Sequence, residues 1–447
     1  MSADRTVRRN LRTFYTLIFT QTFSMIGSRM TDLALSIYVY SQTGDVTPLA
    51  LVAVFATLPQ IIVSGFAGVL ADRWDRRYVM MLADAGQAVG TLVLLISFTS
   101  GGFQLWHLYV ISFLKALFGV FQGPAFTASV TMLIPDAQRE RANAAQMLTG
   151  PLAGVIAPVA TGALYALVGI GGVIAIDLIT FLAAVGVVAL VRIPRPAQTE
   201  VGKQMQGTVW KEMIGAARWL LGWRSILLLA AHVSLVNFIF SAAGILFTPY
   251  LLARTGSEAA MGVLLAVIDV SMIVGAIIIG VWGGTRPRIH TLMVGIIVSG
   301  LFMAFVGVAQ TPLALGVILF LMGIPVPMIN AVAQSLLQAK IPPDIQGRVF
   351  ALLGQVSQFL IPLAFLLVGP FVDNVVEPAV ATEGWSAVAP LVGSEPGSGM
   401  GLVMVGAGAL LVVLTIFAYA QPRVRSVESE RPDYVPVAAE ALAVNGS

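Results

Sequence analysis

The chain has 447 residues, 57% of them hydrophobic and only 11% charged, with a net charge of +3. A soluble globular protein carries roughly 25% charged residues, so this composition excludes an ordinary soluble domain and fits a chain whose solvent is largely lipid, where charges are costly. Cysteine is absent, which excludes disulfides and thiolate metal sites. The three histidines stand far apart, so neither a metal nor a cofactor is expected. The basic residues are spread over many short loops, which argues against nucleic acid.

A spanning helix needs about 20 mostly apolar residues. Arg5, Arg8, Arg9 and Arg12 precede a first apolar run that exceeds the roughly 7–15 residues of a signal-peptide core, and this run is expected to remain as a helix. In chain order the apolar runs lie at 13–40, 48–71, 78–99, 107–134, 145–168, 171–191, 226–253, 260–284, 290–309, 313–339, 348–372 and 399–420. They predict an all-α membrane protein with twelve transmembrane helices in two six-helix bundles. The first bundle is residues 1–191 and the second 226–420. Between them lies a linker, 192–225, in which Trp210, Met213, Ile214, Ala217 and Leu221 recur at helical spacing opposite Lys211, Glu212 and Arg218. That pattern predicts an interfacial amphipathic helix. Residues 421–447 are polar and read as a disordered tail.

Orientation follows from the basic residues. With both termini cytoplasmic, 22 of the 25 Lys and Arg residues fall in cytoplasmic segments. Arg254 falls outside, and Arg29 and Lys115 fall within helices. The loop at 373–397 has acidic residues and neither Lys nor Arg. The halves also repeat. Ile134, Pro135 and Arg141 recur 207 residues later as Ile341, Pro342 and Arg348, and Gly68 and Arg76 correspond to Gly280 and Arg288. Repeated six-helix units are a transporter architecture, with the path between them.

The loop Gly68-Val-Leu-Ala-Asp72-Arg73-Trp-Asp75-Arg76-Arg77 resembles the signature loop of the major facilitator superfamily, with Asp75 where that pattern has Gly. The resemblance implies that Gly68, Asp72, Arg73, Arg76 and Arg77 form a conformational latch between the cytoplasmic sides of the halves. The segments 21–35 and 70–77, with Ala175-Ile-Asp-Leu-Ile-Thr-Phe-Leu182, look more narrowly like the macrolide-efflux and enterobactin-exporter branch. Helix five, with Gly154, Pro158 and Gly162, is similar to the family's antiporter motif, although Ala157 and Thr161 replace glycines. Together these imply a secondary transporter of the bacterial inner membrane, acting as a monomer. It would export a small amphipathic molecule (a drug, a macrolide-like compound or a siderophore) in exchange for protons. Alternatives of the same fold are a lysophospholipid flippase or an importer, and beyond them a non-transporting sensor. An enzyme would need convergent catalytic groups, and none accompanies His232.

Charges inside spans mark function, because each needs a partner or water. Asp32 and Lys115 both lie about eight residues, or roughly 12 Å, from the outer ends of their helices. The family's first and fourth helices line its cavity, so the two are expected to meet there as proton-coupling groups. Arg29, three residues before Asp32, offers an alternative pairing on the same helix face. Asp269 is a second carrier candidate without an evident partner, while Asp84 and Asp177 read as structural. Gly123-Pro124 and Gly323-Ile-Pro-Val-Pro327 are expected to break helices four and ten. Gln21, Tyr38, Gln122, Asn237, Asn330, Gln334, Gln355 and Gln358 are the candidate cavity side chains.

The loop asymmetry generates a test. Single cysteines at residues 45, 101 and 385 should react with an impermeant thiol reagent outside intact cells, and those at 75, 203 and 430 only after permeabilisation. Reaction of residue 75 in intact cells would invert the orientation.

Overall fold

The computed structural model describes residues 2–134, 138–191, 209–430 and 433–434, and their regular structure is helical. In the first half, α1 is Ser2–Thr43, α2 Thr47–Arg73, α3 Arg76–Thr99, α4 Leu105–Leu133 and α5 Arg139–Leu190. A short α6, Val209–Leu221, leads into the second half. There α7 is Arg224–Gly244, α8 Phe247–Thr255, α9 Glu258–Trp282, α10 Arg288–Val308, α11 Pro312–Gly323, α12 Pro325–Lys340, α13 Pro343–Gln358, α14 Ile361–Phe371 and α15 Ser398–Ala420.

Ten stretches of the described residues are long and apolar enough to cross a membrane. One of them, Ala145–Leu190, has 46 residues. Straight, it would measure about 69 Å, over twice the hydrocarbon thickness of about 30 Å. The chain turns back at Gly169, whose φ of 65° and ψ of −177° suit only glycine. The reversal is visible in the contacts. Thr161 bonds the Met30 carbonyl, while Asp177, which a straight helix would place about 24 Å away, accepts from Ser28 only two residues along the same α1. α1 falls short of the same apolarity because its 42 residues include the Arg-rich start, Arg29 and Asp32. With the reversal and α1 counted, the described helices accommodate twelve passes.

Some helix boundaries differ from expectation. Pro124 does not break α4, which runs on through it, whereas the helix-ten run does divide, at Ile324. One proline removes one N–H and leaves the rest of the ladder to carry the helix, while Pro325 and Pro327 remove two within a turn. Asp75, the departure from the glycine of the resembling pattern, is the N-cap of α3 and accepts the Arg77 N–H at 3.0 Å. Of α6, the side chains are described from Ile214 onward. Ala216, Leu220 and nearby Trp223 are buried against the second half, and Ile214 and Leu221 point away, exposed. Of the tail expected to lack structure, the described residues 421–430 and 433–434 fold back instead. Val424 and Val427 are buried in the second half's core. Glu428 accepts the Ile289 N–H at the start of α10, and Lys340 donates to the Glu428 carbonyl and to Asp433. The polar composition of the tail conceals two valines placed to bury roughly 1.5 kcal/mol or more each.

The halves meet most closely at the end opposite the basic loops. There Ile37 and Val46 pack in one core with Leu246, Tyr250, Val368 and Val372. At this end a short π-helical turn, Val372–Val376, follows α14. From it the Asp373 carboxylate accepts the backbone N–H groups of Val46 and Thr47 at 2.8 and 2.7 Å, so a carboxylate of the second half caps α2 of the first. Gly369 lets α14 lie against this cap, since a Cβ there would come 2.8 Å from the Thr47 Cα. Four residues after Asp373, Glu377 accepts the Met400 N–H in the first turn of α15.

Replacing Asp373 by Ala removes charge-assisted hydrogen bonds worth about 1.5–3 kcal/mol each from the contact between halves. Spin labels at residues 101 and 391 should then show a longer distance component than in the parent. An unaltered distance distribution would mean that the cap does not hold this end shut.

Candidate functional site

The polar interior lies in the first half, in two adjoining cavities. The larger, about 400 Å³, is bordered by Ser28, Asp32, Gln60, Gln87 and Lys115 among apolar neighbours, with Ile245 entering from the second half. The other, about 340 Å³ and nearer the basic end, is bordered by Gln21, Gln122, Gln146 and Thr149, with Phe181 as one apolar wall. Ser28, Gln87 and Gly119 border both and mark the place, the neck, where the two adjoin.

The structure brings the four predicted charges into one region but pairs them differently. The Lys115 ammonium bonds the Asp177 carboxylate at 3.5 Å, and Asp177 is wholly buried. Asp177 also accepts from Ser28 at 3.2 Å and Thr91 at 3.3 Å. This corrects the expectation that Asp32 is the partner of Lys115. The position of Gly90 explains the reach: a Cβ there would lie 3.0 Å from the Lys115 Cγ, so the missing side chain leaves a channel for the lysine stem between α3 and α4. Asp32 stays open to the larger cavity, where Lys115, Asp177 and Arg29 are the charges acting on it.

Arg29 turns toward the other half, which corrects the alternative of a closed Arg29–Asp32 pair. A Cβ on Gly154 would fall on the Asp269 carboxylate and 2.9 Å from the Arg29 Nη1, so both groups meet over that glycine. Asp269 thus has a cation near it that its sequence context did not reveal. Gly154, Pro158 and Gly162 all face α9: Gly262 lies against the Pro158 carbonyl, and a Cβ on Gly162 would come 2.5 Å from the Glu258 carbonyl. The small-residue ridge of α5 is therefore part of the seam between halves, the close approach that such ridges permit.

Asp84, read as structural, is buried at the wall of the amide-lined cavity. It accepts from Gln21 Nε2 at 3.0 Å and from Gln122 Nε2. Gln122 also donates to Gln21 Oε1 at 2.7 Å and accepts from Gln87 Nε2 at 2.9 Å. Other predicted cavity residues sit elsewhere. The Tyr38 ring packs edge-on against Phe98 and Phe103, with centroids 5.0 and 5.7 Å away, so its place is an aromatic cluster. Asn237 donates to the Ser357 carbonyl at 3.0 Å, just before the α13–α14 break, and thus joins helices. Gln334 borders a third, largely apolar cavity of about 280 Å³ in the second half. Asn330 and Gln358 are exposed and Gln355 is partly buried.

Of the latch residues, the side chains of Gly68, Asp72 and Arg73 lie outside the described residues. Arg77 does not face the other half. Its guanidinium donates to the Val188 carbonyl at 3.1 Å and to that of Ala189, in the last turn of α5, where a cation complements the helix dipole. Arg76 is partly buried beside it.

Two residues escaped the sequence reading. Asp177 was read as structural without its pairing to Lys115, because depth along a helix says nothing of its facing. Gln87 was not singled out, although an amide in the middle of an apolar span was the signal available.

Comparison with known proteins adds to this geometry. The family model described as the Major Facilitator Superfamily matches residues 17–366. Macrolide efflux protein A of Streptococcus pyogenes is 26% identical over 380 residues, covering 81% of this chain and 90% of that protein. An enterobactin exporter of Salmonella paratyphi A is 26% identical over 350 residues, covering 77% and 79%. Among solved structures, a bacterial homologue of the human lysosomal transporter Spinster, inward-facing and unoccupied, superposes with a TM-score of 0.75 at 14% identity over 96% of this chain and 99% of that one.

The corrected pairing predicts an order of stabilities. Asp177→Asn strands the buried Lys115 charge and should cost roughly 3–5 kcal/mol. Asp32→Asn, at a group open to the cavity, should cost under about 1 kcal/mol. Thermal unfolding in detergent measures both, and a reversed order would restore Asp32 as the partner of Lys115.

Proposed function

This chain belongs to the Major Facilitator Superfamily, and from that premise we propose that it exports a small amphipathic molecule in exchange for protons. The observation that carries the reading is a charge imbalance beside the larger cavity. Arg29 and Lys115 supply two positive charges, and Asp32, Asp177 and Asp269 three negative ones. An odd carboxylate in a low-dielectric interior is costly unless something neutralises it. Lys115 is engaged by Asp177 and Arg29 lies near Asp269, so Asp32 is the carboxylate left to take a proton or to hold a cationic cargo.

The two occupants are then alternatives, which is the logic of exchange. Proton binding at Asp32 releases cargo, and cargo binding displaces the proton. Because the charges sit on α1, α4, α5 and α9, a change at Asp32 reaches the Arg29–Asp269 contact across the seam and biases how the halves, 1–191 and 226–420, rock about it. The efflux relatives support outward transport of an amphipathic compound, and the apolar walls around few polar groups suit such a cargo. In this reading the protein works as a monomer in the bacterial inner membrane, with both termini in the cytoplasm. The latch residues Asp72 and Arg73 close the cytoplasmic side when the Asp373 cap at the other side has parted.

In proteoliposomes with an imposed pH gradient, Asp32→Asn should abolish gradient-driven uptake of a fluorescent amphipathic amine while leaving exchange of that compound between the two sides measurable. Gradient-driven transport at the parental rate in this variant would remove Asp32 from coupling. Loss of exchange as well would make it a binding residue alone.

A further inference from the structure

The amide-lined cavity contains a hydrogen-bond ladder with a fixed direction. Asp84, when ionised, can only accept. It therefore turns the NH₂ groups of Gln21 and Gln122 toward itself. The second N–H of Gln122 goes to Gln21 Oε1, so its own Oε1 is left facing Gln87. Gln87 answers with Nε2, which donates both to Gln122 and to the Ala83 carbonyl at 3.2 Å. With both its N–H groups engaged, Gln87 is left to present its Oε1. That oxygen lies toward Gly119, 3.7 Å from where a Cβ would be. Gln87 and Gly119 both border the neck where the two cavities adjoin.

We propose that Gln87 is a recognition residue for cargo at this neck, and that the protonation state of Asp84 sets whether it offers an acceptor or a donor. With Asp84 ionised, the neck presents the Gln87 carbonyl oxygen and selects a cargo bearing a hydroxyl or amide N–H donor. When Asp84 takes a proton, its O–H must donate. Gln122 then turns its Oε1 to Asp84 and its NH₂ to Gln87, giving up its bond to Gln21 Oε1, and Gln87 in turn gives up the Ala83 carbonyl and swings its NH₂ into the neck. The donor on the cargo now meets a donor and loses its partner. The groups that could compete for this role are separate. Asp32 and Arg29 on α1 and Lys115 on α4 lie about two turns or more along their helices from the Gln21–Asp84–Gln122 contact, Asp177 on α5 is engaged by Ser28, Thr91 and Lys115, and Arg76 and Arg77 are at the basic end of α3. The side chains of Asp72 and Arg73 on α2 lie outside the described residues.

This inference rests on the reading that cargo passes through the first-half cavities, and the experiment separates the two. Protein in lipid nanodiscs is titrated from pH 5 to pH 9 in two ways. The first uses infrared difference spectra and needs no cargo. The parent should show protonation of a carboxyl group accompanied by a shift of side-chain amide bands. Asp84→Asn should lose both signals. Gln87→Leu should keep the carboxyl signal and lose part of the amide shift. The second measures binding of a dansyl amphiphile carrying one hydroxyl and of its O-methyl ether. The parent at high pH should favour the hydroxyl probe by about 3–10-fold, the worth of one net hydrogen bond, and should lose that preference in the acid range. Gln87→Leu should show no preference at any pH, and Asp84→Asn the same preference throughout. A carboxyl signal without an amide shift overturns the ladder. A preference that survives in Gln87→Leu overturns Gln87 as the recognition residue, while cargo passage stands. An intact infrared signature with neither probe bound overturns cargo recognition at the neck together with the reading beneath it.

Discussion

Charge in an apolar interior has to be matched where it sits, and that requirement organises this molecule. Arg29 stands in the middle of a spanning helix, where leaving it without a counterion would cost several kcal/mol. A carboxylate, Asp269, lies near it on α9 in the other half, and Gly154 of α5 has no side chain in the way. Arg29, Gly154 and Asp269 thus come together from α1, α5 and α9 at a single depth. Lys115 makes the same demand within the first half and meets it with Asp177, which draws Ser28 of α1 and Thr91 of α3 into the same cluster. The helices could pack on apolar surface alone in many rotations, but only a few of these bring each cation to a carboxylate.

That same requirement explains how far the sequence could be read. Apolar runs and loop charges are local properties, so the crossings were legible, including the two that a single 46-residue stretch conceals until Gly169 is recognised as its turn. The presence of Arg29, Asp32, Lys115 and Asp269 as charges of the interior was legible too, because each is conspicuous in its own helix. Their pairing was not. Asp32 and Lys115 were matched by depth, which is a coordinate along a helix, whereas Asp177 is preferred to Asp32 by rotation about it, and rotation is set by every neighbouring helix at once. Gln87 shows the same limit from another side. Its importance comes from which end of its amide is already engaged by Gln122 and Ala83, a fact about partners far away in the chain.

The two ends of the molecule are secured by different chemistry. At the basic end, Arg77 is committed to the carbonyls that finish α5, within its own half. At the opposite end, Asp373 completes a helix of the other half and uses no cation at all. A carboxylate on backbone N–H groups is geometrically demanding and holds only when the helix start is in place, so it makes a contact that is either formed or absent. Such all-or-none contacts suit a seam that has to part as a unit.

The distribution of polar groups across that seam has a practical consequence. The repeat supplies two bundles of common plan, yet the amides and charges that could read a molecule are concentrated in the first, while the second contributes Asp269 and a largely apolar hollow. Duplication has ended in a division of labour, with one bundle as the hand and the other as the cover that closes over it. For anyone redesigning the protein, diversity placed in α1, α3 and α4 would alter what is carried. Diversity placed in the second bundle would alter chiefly how fast the cover lifts.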